Sequence, residues 1–523
     1  MSEQDGLPQR VSLRRDVSVW GSYMWGFADV GADAFVGLGL VLAAAQGAAP
    51  LAFAAAGTVY IMIGLAYTEL ASAFPVAGGG QYFTQRGLGD FLGFVAGSAL
   101  MLDYTIDIAL FATASAGYAN YFLPYFGHSL SEFVVPVGPF TVNWFWLAET
   151  LSIIGFLVWL NIRGIRESSA VNEWIGALVI LAECVLIAAG FTFAWKSDLV
   201  IGQWKTQFPT VNQFMYGSSL AIISFVGLES ISQAAQETRR PATIVPRTSI
   251  ALIFSVFLFA TGFSLLANGV VPWQEIARHV DNPLAVLAAR IPLIGEAAGP
   301  ITAMLGALIL LISANSGVMS VSRLTFGMSQ FGQIGEWFQA VHPRHRTPVR
   351  TILVFSGIGV VQTVAAFLTP NALNTLGNMY AFGASLGYIL VFAAMIRLRF
   401  KEPNVPRPYL MPFNIPLPWR GRRVLFPVLG LLGMGGVAMI LAMVVWTHEI
   451  GRIAGPAWVA VCLIGYLVYR RKRGLPVLGS VERNWEEDQM RVLEEAEEFE
   501  LLEQYRNSLA SDLRWRSREG GRR

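Results

Sequence analysis

The chain has 523 residues, of which 54% are hydrophobic and 14% are charged, and its formal net charge is +2. Soluble domains carry about 25% charged residues, so this composition excludes an ordinary soluble protein and indicates a membrane protein. The balanced charge gives no sign of a nucleic-acid partner.

Twelve apolar segments follow one another, and each is long enough for a spanning helix, which needs roughly 20 apolar residues. They are continuous apolar runs, without the ten-residue alternation of membrane barrels. The first nineteen residues are polar and basic, and the first apolar segment is too long for a signal-peptide core. Segments 1 to 12 cover residues 20–46, 51–75, 87–122, 143–162, 173–195, 213–237, 248–272, 297–322, 351–369, 373–396, 424–447 and 453–469.

Lys and Arg are distributed unevenly between alternate loops. The N-terminus and the loops after even-numbered segments hold 20 of them, the other loops hold 5, and the tail from Arg470 holds 12. By the positive-inside rule we expect both termini in the cytoplasm and a multi-pass protein of the cell membrane. No Lys or Arg falls inside a predicted span.

A four-residue run occurs twice, as Phe35-Val36-Gly37-Leu38 in segment 1 and as Phe225-Val226-Gly227-Leu228 in segment 6. Each copy has glycine and a carboxylate nearby, and both are costly in a helix at membrane depth. Interruptions at corresponding places in two halves of a chain point to a transporter binding site.

Several acids fall within the predicted spans, where no base is available to pair with them. Asp29 and Asp33 are four residues apart in segment 1, and so are Asp103 and Asp107 in segment 3. Two carboxyl groups on one helix face cannot both stay charged in a low dielectric, so one would hold a proton. The deepest acids, which are Asp33, Asp103, Asp107 and Glu229 of segment 6, indicate proton coupling or cation binding. Asp29 could instead lie close enough to the cytoplasmic surface to be solvated.

For the other acids a structural role is equally open. Glu69 and Glu237 lie near cytoplasmic ends, where they could reach water or basic loops, and Glu149 could reach water on the outer side. Glu183 could hydrogen-bond a neighbouring helix. After segment 2, the glycine run 78–80 predicts a compact turn, either a plain one or a gate.

The tail, residues 471–523, differs in composition from the rest and is strongly acidic from Val481 to about Asp512. Apolar residues recur there at helical spacing, which predicts a cytoplasmic amphipathic helix. It could pack on the cytoplasmic loops, dimerise, bind a partner or stay solvated. The chain thus divides into an N-terminal segment (1–19), a transmembrane domain (20–470) and this tail.

Four stretches resemble the amino acid–polyamine–organocation (APC) superfamily of transporters. They are residues 67–75 with the glycines that follow, Leu102-Asp103-Tyr104, the run from Phe225 to Pro246, and Ser322-Arg323 with Thr347-Pro348-Val349. The resemblance implies an all-α membrane protein of the LeuT type with twelve transmembrane helices. Residues 20–195 and 213–396 would be inverted repeats of five helices each, and residues 424–469 would add two more.

In this resemblance, helices 1 and 6 are broken at the two four-residue runs, and exposed backbone at the breaks holds the amino and carboxylate groups of a substrate. The substrate-binding candidates are Ala32, Asp33, Gly37, Gly39, Tyr104, Phe225, Gly227 and Glu229. The candidates for ion or proton coupling are Asp33, Asp103, Asp107 and Glu229.

The chain departs from the family pattern at two places. Leu38 fills the middle of a helix-1 triplet that is small in many members, and Asp33 is similar to the helix-1 acid of the potassium-importing branch. Val179 stands where some proton-coupled members have a Lys, so any proton carrier here would be a carboxyl group.

The leading hypothesis is therefore a secondary transporter that imports an amino acid or organic amine, with H⁺ as coupling ion and Na⁺ or K⁺ as further candidates. A potassium or other inorganic-cation importer is the alternative. A membrane sensor that works through its tail is a third reading. The chain shows no nucleophile motif, metal-ligand cluster or nucleotide fingerprint, so we expect neither an enzyme nor a cofactor. A homodimer would also fit.

Overall fold

The computed structural model describes residues 18–520 except 77, 165–167, 236–237, 239, 346 and 420–421. Glu237 and most of the predicted N-terminal segment therefore lie outside the described residues. The described part is mainly helical, with two short antiparallel hairpins. These pair β1 (Val134–Val137) with β2 (Phe140–Asn143), and β3 (Asn414–Trp419) with β4 (Arg422–Pro427).

Twenty α-helices follow one another along the described residues. The first ten are α1 Val19–Gly26, α2 Asp33–Ala45, α3 Ala49–Ala73, α4 Gly79–Leu88, α5 Asp90–Ala119, α6 Trp144–Arg163, α7 Ser168–Ala189, α8 Ser197–Thr206, α9 Val211–Leu220 and α10 Glu229–Ala234. The others are α11 Pro241–Val270, α12 Trp273–Arg278, α13 Pro283–Ala289, α14 Gly295–Gln330, α15 Val349–Phe367, α16 Ala372–Lys401, α17 Val428–Thr447, α18 Gly451–Lys472, α19 Trp485–Glu495 and α20 Phe499–Gly520.

Eleven helical stretches of the described chain are long and apolar enough to cross a membrane. The longest, Val19–Ala73, contains the first two predicted segments. At 1.5 Å per residue it would be about 80 Å long if straight, far more than a bilayer needs. The chain instead turns at Gln46–Ala48, where Gln46 has φ +51°.

The first predicted break lies elsewhere than at the Phe35-Val36-Gly37-Leu38 run. That run is inside the regular helix α2, and the irregularity precedes it as a π-helical turn over Phe27–Gly31. The prediction was wrong in its position because Gly37 and Gly39 serve close packing. A methyl group on Gly37 would overlap the Ser224 hydroxyl, and one on Gly39 would lie 3.0 Å from the Val280 backbone.

The second run does interrupt its segment. Helix α9 tightens into a 3₁₀ turn over Ala221–Phe225, the chain becomes extended at Val226, and α10 begins at Glu229. Gly227 has φ +107°, a conformation that residues with a side chain rarely adopt. The glycine in this copy therefore permits the break.

The glycine run after segment 2 is partly helical. Gly78 has φ +107° and α4 begins directly after it, so the expected turn is confined to the residues before Gly79. A methyl group on Gly80 would come within 2.5 Å of the Tyr67 hydroxyl. These glycines thus let α4 lie tightly across the end of α3.

The centre of the bundle is built on α5, which is buried along almost all of its length. Helix α14 packs along α5, and α16 packs on another side of it. Helix α3 packs on α11, while α6, α7, α17 and α18 keep much of their surface exposed at the periphery. The irregular segments around Asp29 and Gly227 therefore lie between helices that are themselves buried.

Glu69 is buried near the end of α3 and forms an ion pair with Arg399 of α16. Its carboxylate also accepts a hydrogen bond from the Met411 backbone at 2.9 Å and lies 3.6 Å from Arg407. Glu69 thus meets a basic loop, as one reading of the sequence expected, but it does not reach water. The sequence did not predict that Arg399 would lie on a helix, because α16 extends beyond the predicted apolar segment 373–396.

We expect Glu69→Gln to lower the free energy of unfolding by about 3–5 kcal/mol, since it leaves the buried Arg399 without its counter-charge. Glu275→Gln is the matched control. It breaks a pair with Arg290, whose side chain is 59% exposed, and should cost less than about 1 kcal/mol. Thermal unfolding in detergent compares the two, and equal losses would contradict the assignment.

Candidate functional site

The two irregular segments meet near the middle of the bundle. Gly37 on α2 faces Ser224, in the 3₁₀ turn just before the break in the other segment, with no room for a methyl group between them. The Ser313 hydroxyl of α14 donates a 3.4 Å hydrogen bond to the carbonyl of Asp29 in the π-helical turn. Backbone from both segments is therefore brought together beside α14.

Gly227 lies where the two segments meet and is close to an acidic side chain of each. A methyl group on it would lie 3.0 Å from the Asp29 carboxyl carbon, so Asp29 packs directly against the break. The Gly227 backbone N–H donates to Glu229 Oε2 at 3.2 Å, and the Tyr388 hydroxyl donates to the same oxygen at 2.9 Å. Glu229 opens α10, where the helix dipole favours a negative charge.

Five buried carboxyl groups are gathered here from three predicted segments. Asp33 lies within electrostatic reach of the other four, and Asp103 lies within reach of Asp107, Glu229 and Asp29. The regular helix α5 carries two of them one turn apart, as the sequence predicted. The five residues are Asp29, Asp33, Asp103, Asp107 and Glu229.

The cluster has no ion-pair partner among the residues that the structure describes. The buried ion pairs of the described chain lie at one end of the bundle, at Glu69, Asp90 and Arg86. Within the described ranges, neither oxygen of Asp33 accepts a hydrogen bond. Burying an uncompensated charge costs several kcal/mol, so this arrangement is unfavourable for fully charged carboxylates.

Buried tyrosines surround the acids. Each of them lies within electrostatic reach of at least one carboxyl group, and Tyr60 also stacks on Phe225 with ring centroids 5.1 Å apart. Tyrosine faces attract cations, and their hydroxyls can donate to carboxylates. The set comprises Tyr60, Tyr67, Tyr104, Tyr380 and Tyr388.

The structure brings together most of the residues predicted from the sequence. Asp33, Gly37, Phe225, Gly227 and Glu229 all lie at or beside the meeting point of the two segments. The coupling candidates Asp103 and Asp107 face them from α5, and the Tyr104 backbone contacts α14 at Gly317. Ala32 is buried at the turn between the π-helical stretch and α2.

Gly39 is placed differently. Its nearest neighbours are Val280, in the segment between α12 and α13, and Pro283, the first residue of α13. Sequence reasoning overlooked Tyr380 and Tyr388, whose spacing of eight residues puts both on one stripe of α16. It also left Asp29 out of the site, because Asp29 seemed close enough to the surface to be solvated.

Comparison with known proteins places the chain among transporters. The family model described as "Amino acid permease" matches residues 18–468. The branched-chain amino acid permease BcaP of Bacillus subtilis is 27% identical over 88% of this chain and 94% of its own length. The methylthioribose transporter of the same organism is 25% identical over 89% and 95%. Cationic amino acid transporter 4 of Mus musculus is 27% identical over 76% and 61%.

We expect Gly37→Ala to lower the free energy of unfolding by about 1–3 kcal/mol, since the added methyl group overfills the contact with Ser224. Gly155→Ala is the control, because Gly155 on α6 has open space around it and alanine favours the helix. Denaturation in detergent measures both. A Gly37→Ala protein as stable as Gly155→Ala would show that the two segments are not in close contact.

Proposed function

Because the chain belongs to the amino acid permease family, we propose that it is a secondary active transporter that imports an amino acid or a related organic amine. Transport would be coupled to protons and would proceed by alternating access. We also propose twelve crossings in the cell membrane, both termini in the cytoplasm, and the LeuT-type repeats at 20–195 and 213–396. The tail, residues 471–523, would be a separate cytoplasmic unit.

One observation carries the proposal for the cargo: five buried carboxyl groups face one another beside the helix break, and the described residues supply no base to them. A protonated amino group is the natural partner of such a cluster, since it carries one positive charge and three donors. The tyrosines around the acids would hold the same group by cation–π contact.

The same cluster supports proton coupling. When no amine is present, the acids can avoid mutual repulsion only by holding protons or by binding an inorganic cation. Asp33 and Asp103 would be the first to take protons, because none of their side-chain oxygens has a hydrogen-bond donor within the described chain. Asp107 and Glu229 would share further protons, so the number of protons on the cluster would change as the cargo binds and leaves.

The backbone near the break supports recognition of the rest of the cargo. The 3₁₀ turn and the extended residues before α10 leave N–H and C=O groups outside regular helical bonding. Ala32, Gly37, Phe225 and Gly227 would line the place where a cargo carboxylate meets these groups. Relatives named for branched-chain and cationic amino acids carry cargo with both an amino group and a carboxylate.

We expect Asp33→Asn together with Asp107→Asn to reduce amino acid or amine uptake at neutral pH about ten-fold or more and to flatten its pH dependence. Each change removes a charge that the cargo or proton would need, and hydrogen bonds to charged groups contribute about 1.5–3 kcal/mol. Asp198→Asn, which alters an exposed acid at the start of α8, is the control.

Uptake into proteoliposomes at several pH values, with an imposed proton gradient, measures this effect. The cargo is chosen beforehand by a thermal-shift scan with the twenty amino acids, polyamines, K⁺ and Na⁺, since a ligand of the folded state raises its stability. Unchanged uptake and an unchanged pH profile in the double variant would overturn the proposal.

A potassium or other inorganic-cation importer is the second candidate. The unpartnered Asp33 carboxyl favours it, because a bare cation could neutralise that acid without any donor group. Rubidium uptake separates the two candidates. Rubidium entry that amino acids and amines do not inhibit, together with a thermal shift caused only by K⁺, would favour the inorganic cation.

A further inference from the structure

The C-terminal segment folds back across one end of the bundle. Arg470, near the end of α18, is fully buried and fixes the turn that starts this path. Its guanidinium donates to the Pro476 carbonyl at 2.6 and 2.9 Å and to the Gly479 carbonyl at 3.1 Å. The chain is thereby directed from the last spanning helix towards α5.

Asp90, the first residue of α5, receives the returning chain. Its carboxylate accepts hydrogen bonds from the Val481 backbone at 3.0 Å, Arg483 at 2.6 Å, Arg470 at 3.3 Å and Gln85 at 2.9 Å. Arg483 also donates to the carbonyl of Phe331, just after α14, at 2.9 Å. A single tail residue therefore links the start of α5 to the end of α14.

Helix α19 then lies over α4. The Tyr82 hydroxyl donates to Asp488 at 3.1 Å, and Arg86 donates to Gln489 at 2.9 Å. Gln489 in turn donates to the carbonyl of Ala73, the last residue of α3, at 2.9 Å. Arg86 is itself buried and paired with Glu402, just after α16, at 2.7 Å.

Helix α20 extends the path to a further element. The Glu498 carboxylate, just before α20, accepts a hydrogen bond from the Ala242 backbone at the start of α11, at 3.1 Å. Leu502 and Tyr505 are buried, and burial raises the pKa of Tyr505 to about 12, so its phenol stays neutral. The Ser508 hydroxyl reaches Asn404, after α16, at 3.2 Å.

We propose that residues 475–511 form a strap that holds the cytoplasmic end of the transporter closed and must detach before that end can open. The strap ties α3, α4 and α5 of the first half to α11, α14 and α16 of the second half. Any opening that separates the halves at this end must break these bonds. The strap therefore biases a two-state equilibrium from a place remote from the cargo.

This inference does not depend on which cargo is carried, and its test uses none. The full-length protein is made with Cys184→Ser and Cys462→Ser, and with Ser72→Cys as the one reporter. Ser72 is buried near the end of α3, beside the Ala73 carbonyl that Gln489 holds. The rate at which a hydrophilic maleimide labels this reporter measures how often the end opens.

Arg483→Gln with Gln489→Leu removes the central contacts of the strap. We expect labelling to become about ten-fold faster, since one hydrogen bond to a charged group is worth roughly a power of ten in an equilibrium constant. Arg506→Gln with Glu503→Gln is the matched control, because both residues are exposed on α20. A labelling rate equal to that of the control would overturn the strap.

A reversible disulfide tests the proposal in a second way, by preventing the strap from detaching. A Cβ atom on Gly89 would lie 2.6 Å from the Ser480 hydroxyl, so Gly89→Cys with Ser480→Cys, in the chain without other cysteines, can be oxidised to a disulfide. We expect oxidation to stop transport of the cargo found by the thermal-shift scan, and a thiol reductant to restore it. Full transport by the oxidised protein would overturn the strap.

Each single-cysteine variant controls for the modification alone. Because Gly89 has φ +103°, the double variant is first checked for a normal melting temperature, and if it fails to fold the labelling experiment decides alone. If no tested solute is transported, the proposed function fails, while the labelling rates still report on the strap.

Discussion

The main physical constraint on this structure is the free-energy cost of burying carboxyl groups that have no basic partner. Five of its buried carboxyl groups form one cluster, and the described residues place the buried guanidinium groups elsewhere, at one end of the bundle. In a low dielectric such a cluster is tolerable only while protons or a cation occupy it. The close-packed Gly37 and Gly227 hold the two irregular segments together beside this cluster.

The sequence predicted the membrane class, the positions of the apolar helices and most members of the acid cluster. These predictions succeed because the hydropathy of a segment, and any charged residue within it, can be determined from the residue types alone. It misplaced the first interruption because glycine has two uses, to permit unusual backbone conformations and to admit a neighbour. Gly227 serves the first and Gly37 the second, and only the neighbour Ser224 distinguishes them.

The tyrosines and the ion pair of Glu69 lay beyond the reach of sequence analysis for another reason. Tyr388 meets Glu229 across 159 residues, and Arg399 meets Glu69 across 330. Such pairings depend on how helices are arranged, which a local pattern does not encode. The tail illustrates the same limit, since its apolar stripe predicted a helix but several surfaces could have received it.

The turn fixed by Arg470 has a practical consequence. Because Arg470 donates hydrogen bonds to carbonyls six and nine residues further along, helix α18 and the segment after it are tied together. Helices α17 and α18 would then anchor the proposed strap at the edge of the bundle. A bulky fusion partner placed beyond α20 would act on the contacts of the proposed strap, so functional assays should use a protein without one.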